Sequence, residues 1–220
     1  MAKIALLFSG QLRACKANFN NIKTNILDVL NPDVFVHSWS NGQDSHNRID
    51  CTTDEFVNLY AHKMHIFEKE NYITHINREP NNKFWIMYYS LFQSYNALKT
   101  YEIFQNIKYD IIIRMRTDTN FFDCNLDFIK NIQDNDLYLP RGSDWGGLND
   151  QIGFMGKNVA ENYFNVFTNM NIIRSSDSIK NINSPEHILA NSIGSNFNVI
   201  RVPIRYRLEI NNYIDNYSNP

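Results

Sequence analysis

The sequence predicts an α/β domain with a mostly parallel central sheet flanked by helices, on three observations. Ile111, Ile112 and Ile113 form a β-branched run closed on both sides by charge, which reads as a central strand buried on both faces. The apolar run Ile4 to Phe8, a helical-period stretch through Phe19, Ile22, Ile26 and Val29, and a second run Val34-Phe35-Val36 make a strand–helix–strand unit. A connection of that length favours parallel pairing. At 220 residues and 43% hydrophobic, with no internal repeat or low-complexity linker, the chain supports one well-buried domain over 1–220 and is short for two.

Taken in order, the first strand reads as Lys3 to Phe8 and stops at Ser9-Gly10. The helix after it closes at Asn31-Pro32, because the residue before a proline is pushed out of the α region. Val34 to Trp39 is the next strand, and Ser40 to Asp50 a polar, turn-rich loop. Thr52-x-x-Glu55 has capping-box form ahead of Phe56, Leu59 and Tyr60, so a helix starts there. Met64 to Phe67 reads as a short strand, followed by a polar stretch to Asn82.

Trp85, Tyr88, Leu91, Phe92, Tyr95 and Leu98 keep the spacing of a long amphipathic helix whose aromatic stripe belongs to the core. Beyond the isoleucine strand, Leu126, Phe128 and Ile129 suggest a short helix, Leu137 to Leu139 a strand, and Gln151 to Met155 another. Val159, Tyr163, Val166 and Met170 mark one further amphipathic helix. Ser184-Pro185-Glu186 joins an N-cap residue, a first-turn proline and an acid, which is a helix start. Asn198 to Ile204 is the last strand, and Arg205-Tyr206-Arg207 a basic tail that either closes over a phosphate ligand or frays.

Composition narrows the function. The formal charge is −2, without the electropositive footprint of a duplex nucleic-acid binder, so nucleic acid is not an expected partner. Three widely spaced cysteines, Cys15, Cys51 and Cys124, fit neither a disulfide framework nor a zinc pattern. The expectation is a soluble, cytoplasmic protein without a membrane span, since the N-terminal apolar run breaks at Ser9-Gly10. The 33 asparagines look like a codon-level bias, which lowers the weight of any single Asn.

Ligands of open α/β sheets sit beyond the carboxyl ends of the strands. Alternation at period two places Ile112, Arg114 and Arg116 on one face, with Asp118 where the strand ends. Two guanidinium forks suit phosphate oxygens, and Asp118 with Asn120 suits a divalent cation that neutralises a diphosphate. A strand-end ion pair of Asp118 with Arg114 or Arg116 is the structural alternative. The loop Ser9-Gly10-Gln11-Leu12-Arg13 opens at the same edge, where Gly10 permits close backbone approach and Arg13 adds a cation. His37 is either a structural residue or a ligand there, and Trp39 either stacks on a base or sugar or caps the core. Arg141 to Asp150 holds three of the eight glycines, Asp144 and Trp145, and reads either as a lid or acceptor wall or as a plain surface loop.

Together these stretches resemble small GT-A-type glycosyltransferases of bacterial polysaccharide clusters and large DNA viruses. The resemblance is carried by Phe8-Ser-Gly-Gln-Leu-Arg13, Asp33-Val-Phe-Val-His-Ser-Trp39, Arg114-x-Arg116-x-Asp118 and Asn149-Asp-Gln-Ile-Gly-Phe-Met-Gly156, in order along most of the chain. It implies a Rossmann-like GT-A domain that moves a sugar from a nucleotide-diphosphate sugar, in first expectation a UDP-sugar, to a glycan or other hydroxyl acceptor. Ser9, Gly10, Gln11, Arg13, His37, Arg114 and Arg116 would face the donor phosphates, and Asp118 and Asn120 a Mn²⁺ or Mg²⁺ ion. Sugar transfer needs a carboxylate to take the acceptor proton, for which Asp150 is the first candidate and Asp144 the second; the resemblance implies an acceptor-side role for Asp150, as base or as hydrogen-bonding anchor, with Trp145 and Glu186 on the same side. One departure is that Asp118-Thr-Asn120 offers one carboxylate where most metal-dependent GT-A enzymes resemble Asp-x-Asp, and the alternative is that the arginines carry the phosphate charge without metal. Two alternatives are a nucleotidyltransferase and a non-catalytic nucleotide-sugar or carbohydrate-binding domain.

Overall fold

The structure, a computed structural model, describes residues 2–40, 49–69, 82–175 and 184–208, with the backbone alone at 82–83 and 171–175. Strands β1 (Ile4–Ser9), β2 (Asp33–Trp39), β3 (Met64–Glu68) and β4 (Ile111–Met115) pair in parallel in the order β3-β2-β1-β4. Strand β7 (Ile152–Gly156) then runs antiparallel to β4, β6 (Asp136–Pro140) antiparallel to β7, and β8 (Asn198–Val202) parallel to β6, completing a seven-stranded sheet. The expected mostly parallel sheet flanked by helices is observed, with β4 as its central strand.

Both faces of the sheet are covered, which explains why its strands read as continuous apolar runs. Alternation sends Ala5, Leu7, Phe35 and Ile112 into one buried cluster. Helices α4 (Asn82–Gln105), α5 (Lys157–Phe164), α6 (Val166–Ser175) and α7 (Pro185–Ile193) cover that face. Leu6, Phe8, Val34, Val36, Ile111 and Ile113 enter the other cluster, under α1 (Cys15–Ile22) and α3 (Thr53–Tyr60). Helix α1 runs on through a π turn (Lys23–Leu27) into the short α2 (Asp28–Leu30), and Asn31 ends it in a left-handed conformation. The 24-residue α4 buries Trp85, Tyr88, Leu91, Tyr95 and Leu98, the stripe expected from spacing.

The capping box at Thr52 and Glu55 and the Ser184 cap form as expected. Three expectations are corrected. The helix expected across Val159 to Met170 is two, because the Asn165 carbonyl accepts from the Thr168 amide and hydroxyl and breaks the ladder. The segment after Arg116 does not simply end the strand: Thr119–Asp123 forms β5. The segment Arg205–Leu208 does not fray but pairs antiparallel with β5 as β9, with Phe121 opposite Tyr206. Expected loops at 41–48 and 70–81, the segment before Ser184 and the tail beyond Leu208 lie wholly or largely outside the described residues.

All three cysteines are free thiols. Among the described residues no helix is long and apolar enough to cross a membrane.

Candidate functional site

Because β1, β2 and β4 are parallel, their carboxyl ends share one edge, and antiparallel β7 begins there, with Met115 opposite Ile152. Four segments therefore meet at that edge: 9–13, 115–118, the loop 141–151 and the first turn of α7. The first two of them, with Pro185 of the last, border a cleft of about 400 Å³. Ser9, Gly10, Gln11 and Arg13 line it from β1, Arg114, Arg116, Thr117 and Asp118 from β4, and Trp39 from β2. Phe84, Ile86 and Met87 of α4 and Pro185 of α7 close the apolar side.

The β4 cluster is a charge network under low solvation. Asp118, 1% exposed, accepts from Arg116 Nε at 2.8 Å and Nη2 at 2.6 Å, a bidentate fork. Burial opposes the Asp118 charge, but Arg116 and then Arg13 outweigh it and hold its carboxyl below the usual range. Arg116 is likewise disfavoured by burial and carried above its ordinary value by Asp118. Arg114, 2% exposed, donates from Nη1 to the Gln151 carbonyl at 3.3 Å, while its Nε–H has no partner among the described residues. Burial lowers the pKa of Arg114, against the pull of Tyr163 and Asp150. A buried guanidinium with an unanswered donor is unusual, because buried polar groups are nearly always paired.

The Gly10 loop is shaped from beneath. Gly10 has φ +99°, and a Cβ there would meet open space, so glycine is required by conformation rather than by crowding. Its N–H points inward, donating to Ser90 Oγ at 2.6 Å and to the His37 carbonyl at 3.2 Å. His37 is fully buried below it, with Nδ1 2.7 Å from Ser90 Oγ and Nε2 3.4 Å from Glu68 Oε2. Burial keeps the His37 pKa low, so the ring is neutral. His37, a donor-site candidate by sequence, thus supports the cleft rather than lining it. Thr117 Oγ1 ties the strand end to the loop through the carbonyls of Arg13 at 2.9 Å and Gln11 at 3.3 Å.

The candidate carboxylates separate into two kinds. Asp150 is buried at the start of β7, and burial raises its pKa although Arg114 and Arg116 pull the other way. Glu186, buried in the first turn of α7, is also raised, first by burial and then by the neighbouring Asp150 charge. Asp144 is instead engaged structurally, accepting from the Asn149 amide at 3.0 Å and pairing with Arg201 at 2.8 Å. Trp145 stands 60% exposed on the same loop, where Gly142, Ser143, Trp145 and Gly146 all have positive φ. None of these four residues lines the cleft wall itself.

Sequence reasoning missed several supports. Ser90 is a fully buried serine inside an apolar helical stripe, and that misfit was its signal. Asn149, also fully buried, donates to the Gly142 carbonyl at 3.1 Å and to Tyr206 Oη at 2.8 Å. Tyr206 in turn donates to Gln151 Oε1 at 2.9 Å, and burial pushes its pKa up to about 12. Strand β9 thereby holds the loop before β7.

The residues expected to hold Mn²⁺ or Mg²⁺ do not fit a metal site. Both Asp118 oxygens are engaged by Arg116, and Asn120, on β5, donates to Asn18 Oδ1 at 3.3 Å. Among the described residues no group of three His, Cys, Asp or Glu side chains converges on one point.

The family model described as a domain of unknown function, DUF7796, matches residues 1–198. The chain belongs to the DUF7796 family. No curated protein sequence matches it. Among solved structures, the DUF7796 chain is similar to a glycosyltransferase involved in glycosylation of the major capsid of PBCV-1, at 9% identity and a TM-score of 0.47. That match covers 91% of this chain and 82% of the other. It is also similar to the glycosyltransferase GlyE of Streptococcus pneumoniae TIGR4, at 12% identity and a TM-score of 0.42 in the apo form. There the DUF7796 chain is 91% covered but spans 45% of GlyE.

Proposed function

We propose that the protein is a glycosyltransferase that takes a sugar from a nucleotide-diphosphate sugar and joins it to a hydroxyl acceptor. The observation that carries the reading is Arg114, buried at the carboxyl edge with its Nε–H unanswered, beside Arg116 and Arg13 in one cleft. Three guanidiniums on the cleft wall suit a diphosphate, and the motif resemblance supports a sugar nucleotide as its source.

In the proposed reaction the acceptor oxygen attacks the anomeric carbon, the bond from that carbon to the diphosphate oxygen breaks, and the acceptor proton passes to a carboxylate. Negative charge grows on the departing diphosphate, where the arginines are already oriented. Asp150 is the proposed base: it lies within electrostatic reach of Arg114 and Arg116, and burial raises its proton affinity. Glu186 and Trp145 are proposed for the acceptor side. Trp39, stacked on Tyr89 with ring centroids 5.9 Å apart, presents the cleft with a face for a base or sugar.

The test is chromatography of products after incubation with a panel of sugar nucleotides and glycan acceptors. Release of nucleoside diphosphate is expected. Release of monophosphate would make the protein a nucleotidyltransferase, and binding without any product would make it a binding module.

A further inference from the structure

We infer that Asp118 is the positioning residue for Arg116, and that the cleft binds its diphosphate through guanidinium groups without a divalent cation. This rests on the donor class proposed above and departs from the metal role expected of Asp118 in the sequence.

The geometry at Asp118 is that of an orienting group. Each carboxylate oxygen receives one N–H of Arg116, at 2.8 and 2.6 Å, so the guanidinium plane is fixed by a two-point contact. Arg116 is 25% exposed against 2% for Asp118, so the arginine faces the cleft and the carboxylate stands behind it. A Mg²⁺ ion demands near-octahedral oxygen ligands and keeps several waters, which a buried carboxylate closed off by a guanidinium does not offer. Arg13 acts electrostatically on the same carboxylate. Cations therefore occupy the surroundings in which a metal would need to bind.

Charge balance points the same way. The ionisable side chains lining the cleft are Arg13, Arg114, Arg116 and Asp118, which leave it a formal charge of +2. The diphosphate of a sugar nucleotide carries two negative charges near neutral pH, which the wall meets with cations already in place, part of their charge being offset by Asp150 behind it. A divalent ion on top would make the site over-positive in a region where Arg114 is already costly to keep charged. The unanswered Arg114 Nε–H supplies the third element, a donor waiting for an anionic acceptor.

Isothermal titration calorimetry with UDP, GDP and inorganic pyrophosphate tests this on protein stripped with EDTA, and again with Mg²⁺ or Mn²⁺ added. The expected result is a dissociation constant that changes less than about threefold with metal. Asp118→Asn should weaken binding by about tenfold to a hundredfold in both conditions, as lost charge-assisted hydrogen bonds do. Arg116→Lys keeps the charge but loses the fork, and should show the same metal-independent loss. Because a poorly folded Asp118 variant would confuse the comparison, direct titration of Mn²⁺ into the unmodified protein is the second arm, expected to show no binding at the cleft. Nucleotide binding that appears only with metal, and a loss in Asp118→Asn that vanishes in EDTA, would overturn the inference while leaving the transferase reading intact. No binding of any nucleoside diphosphate in either condition would overturn both.

Discussion

The Gly10 amide donates to the Ser90 hydroxyl at 2.6 Å, joining the end of β1 to the middle of α4 across 80 residues. Behind that contact runs a directional chain: Ser90 Oγ to His37 Nδ1 at 2.7 Å, then His37 Nε2 to Glu68 at 3.4 Å. Tyr89 anchors the far end by donating to Glu68 Oε2 at 2.9 Å. With His37 neutral, the proton on Nε2 faces Glu68 and Nδ1 accepts from Ser90, so the carboxylate selects the tautomer. Ser90→Ala should leave His37 Nδ1 buried and unpaired, at a cost of about 1–3 kcal/mol. For a chain of this size that is about 2–4 °C of thermal midpoint per kcal/mol. UDP affinity should fall as well; unchanged affinity by calorimetry would show that Gly10 does not shape the donor site.

Asp150→Asn separates chemistry from binding. Transfer should fall by about 10²–10⁴, as when a general base is lost, while UDP binding persists. The folded-state pKa of Asp150 is raised, so the native state holds its proton more tightly than the unfolded chain. Stability is therefore lost as pH rises through that folded pKa, and the neutral amide should raise the midpoint at pH 7. The difference should shrink towards acid. A melting series from pH 4 to 8 in which the variant is never the more stable would contradict the assigned burial cost.

Gly147→Ala probes the proposed acceptor side. A Cβ at Gly147 would overlap the Glu186 carbonyl, whose oxygen also accepts from Leu148 N at 3.0 Å. Loop and helix must part, since neither contact atom is a flexible side-chain end. The expected signature is a higher acceptor KM with donor affinity retained. Loss of donor affinity instead would place this loop on the wrong side of the cleft.

Tyr206→Phe removes the hydroxyl that joins Asn149 to Gln151, at 2.8 and 2.9 Å. The buried Asn149 and the half-buried Gln151 each lose a partner, so about 1–3 kcal/mol of stability should go with it. Urea unfolding should register the change as a lower midpoint at unchanged slope. A loss confined to β9 fraying would appear as faster hydrogen exchange at 205–208 without a shift in the global midpoint.

What was legible in the sequence was local. Ile111 to Asp118 announces itself through β-branching and charge, Thr52 and Ser184 through cap chemistry, and the α4 stripe through spacing. The parts that escaped depend on distant pairing. Strand β5 gains its partner only because Arg205–Leu208 returns to it, and neither segment has the apolar run of a central strand. His37 was visible as a residue at the right edge, but its neutral, supporting role is fixed by Ser90 and Glu68 on two other elements. Arg116 and Asp118 in sequence are compatible with an ion-pair fork and with a metal site alike, and only distances between side chains separate the two.

Strand β4 has a parallel neighbour on one side and an antiparallel neighbour on the other. The chain thus lines its cleft almost wholly from residues before 119, with Pro185 added from the later stretch. The later stretch nevertheless touches the arginines, since the Gln151 carbonyl accepts from Arg114 Nη1, so a shift of the loop before β7 is carried through that bond to the guanidinium.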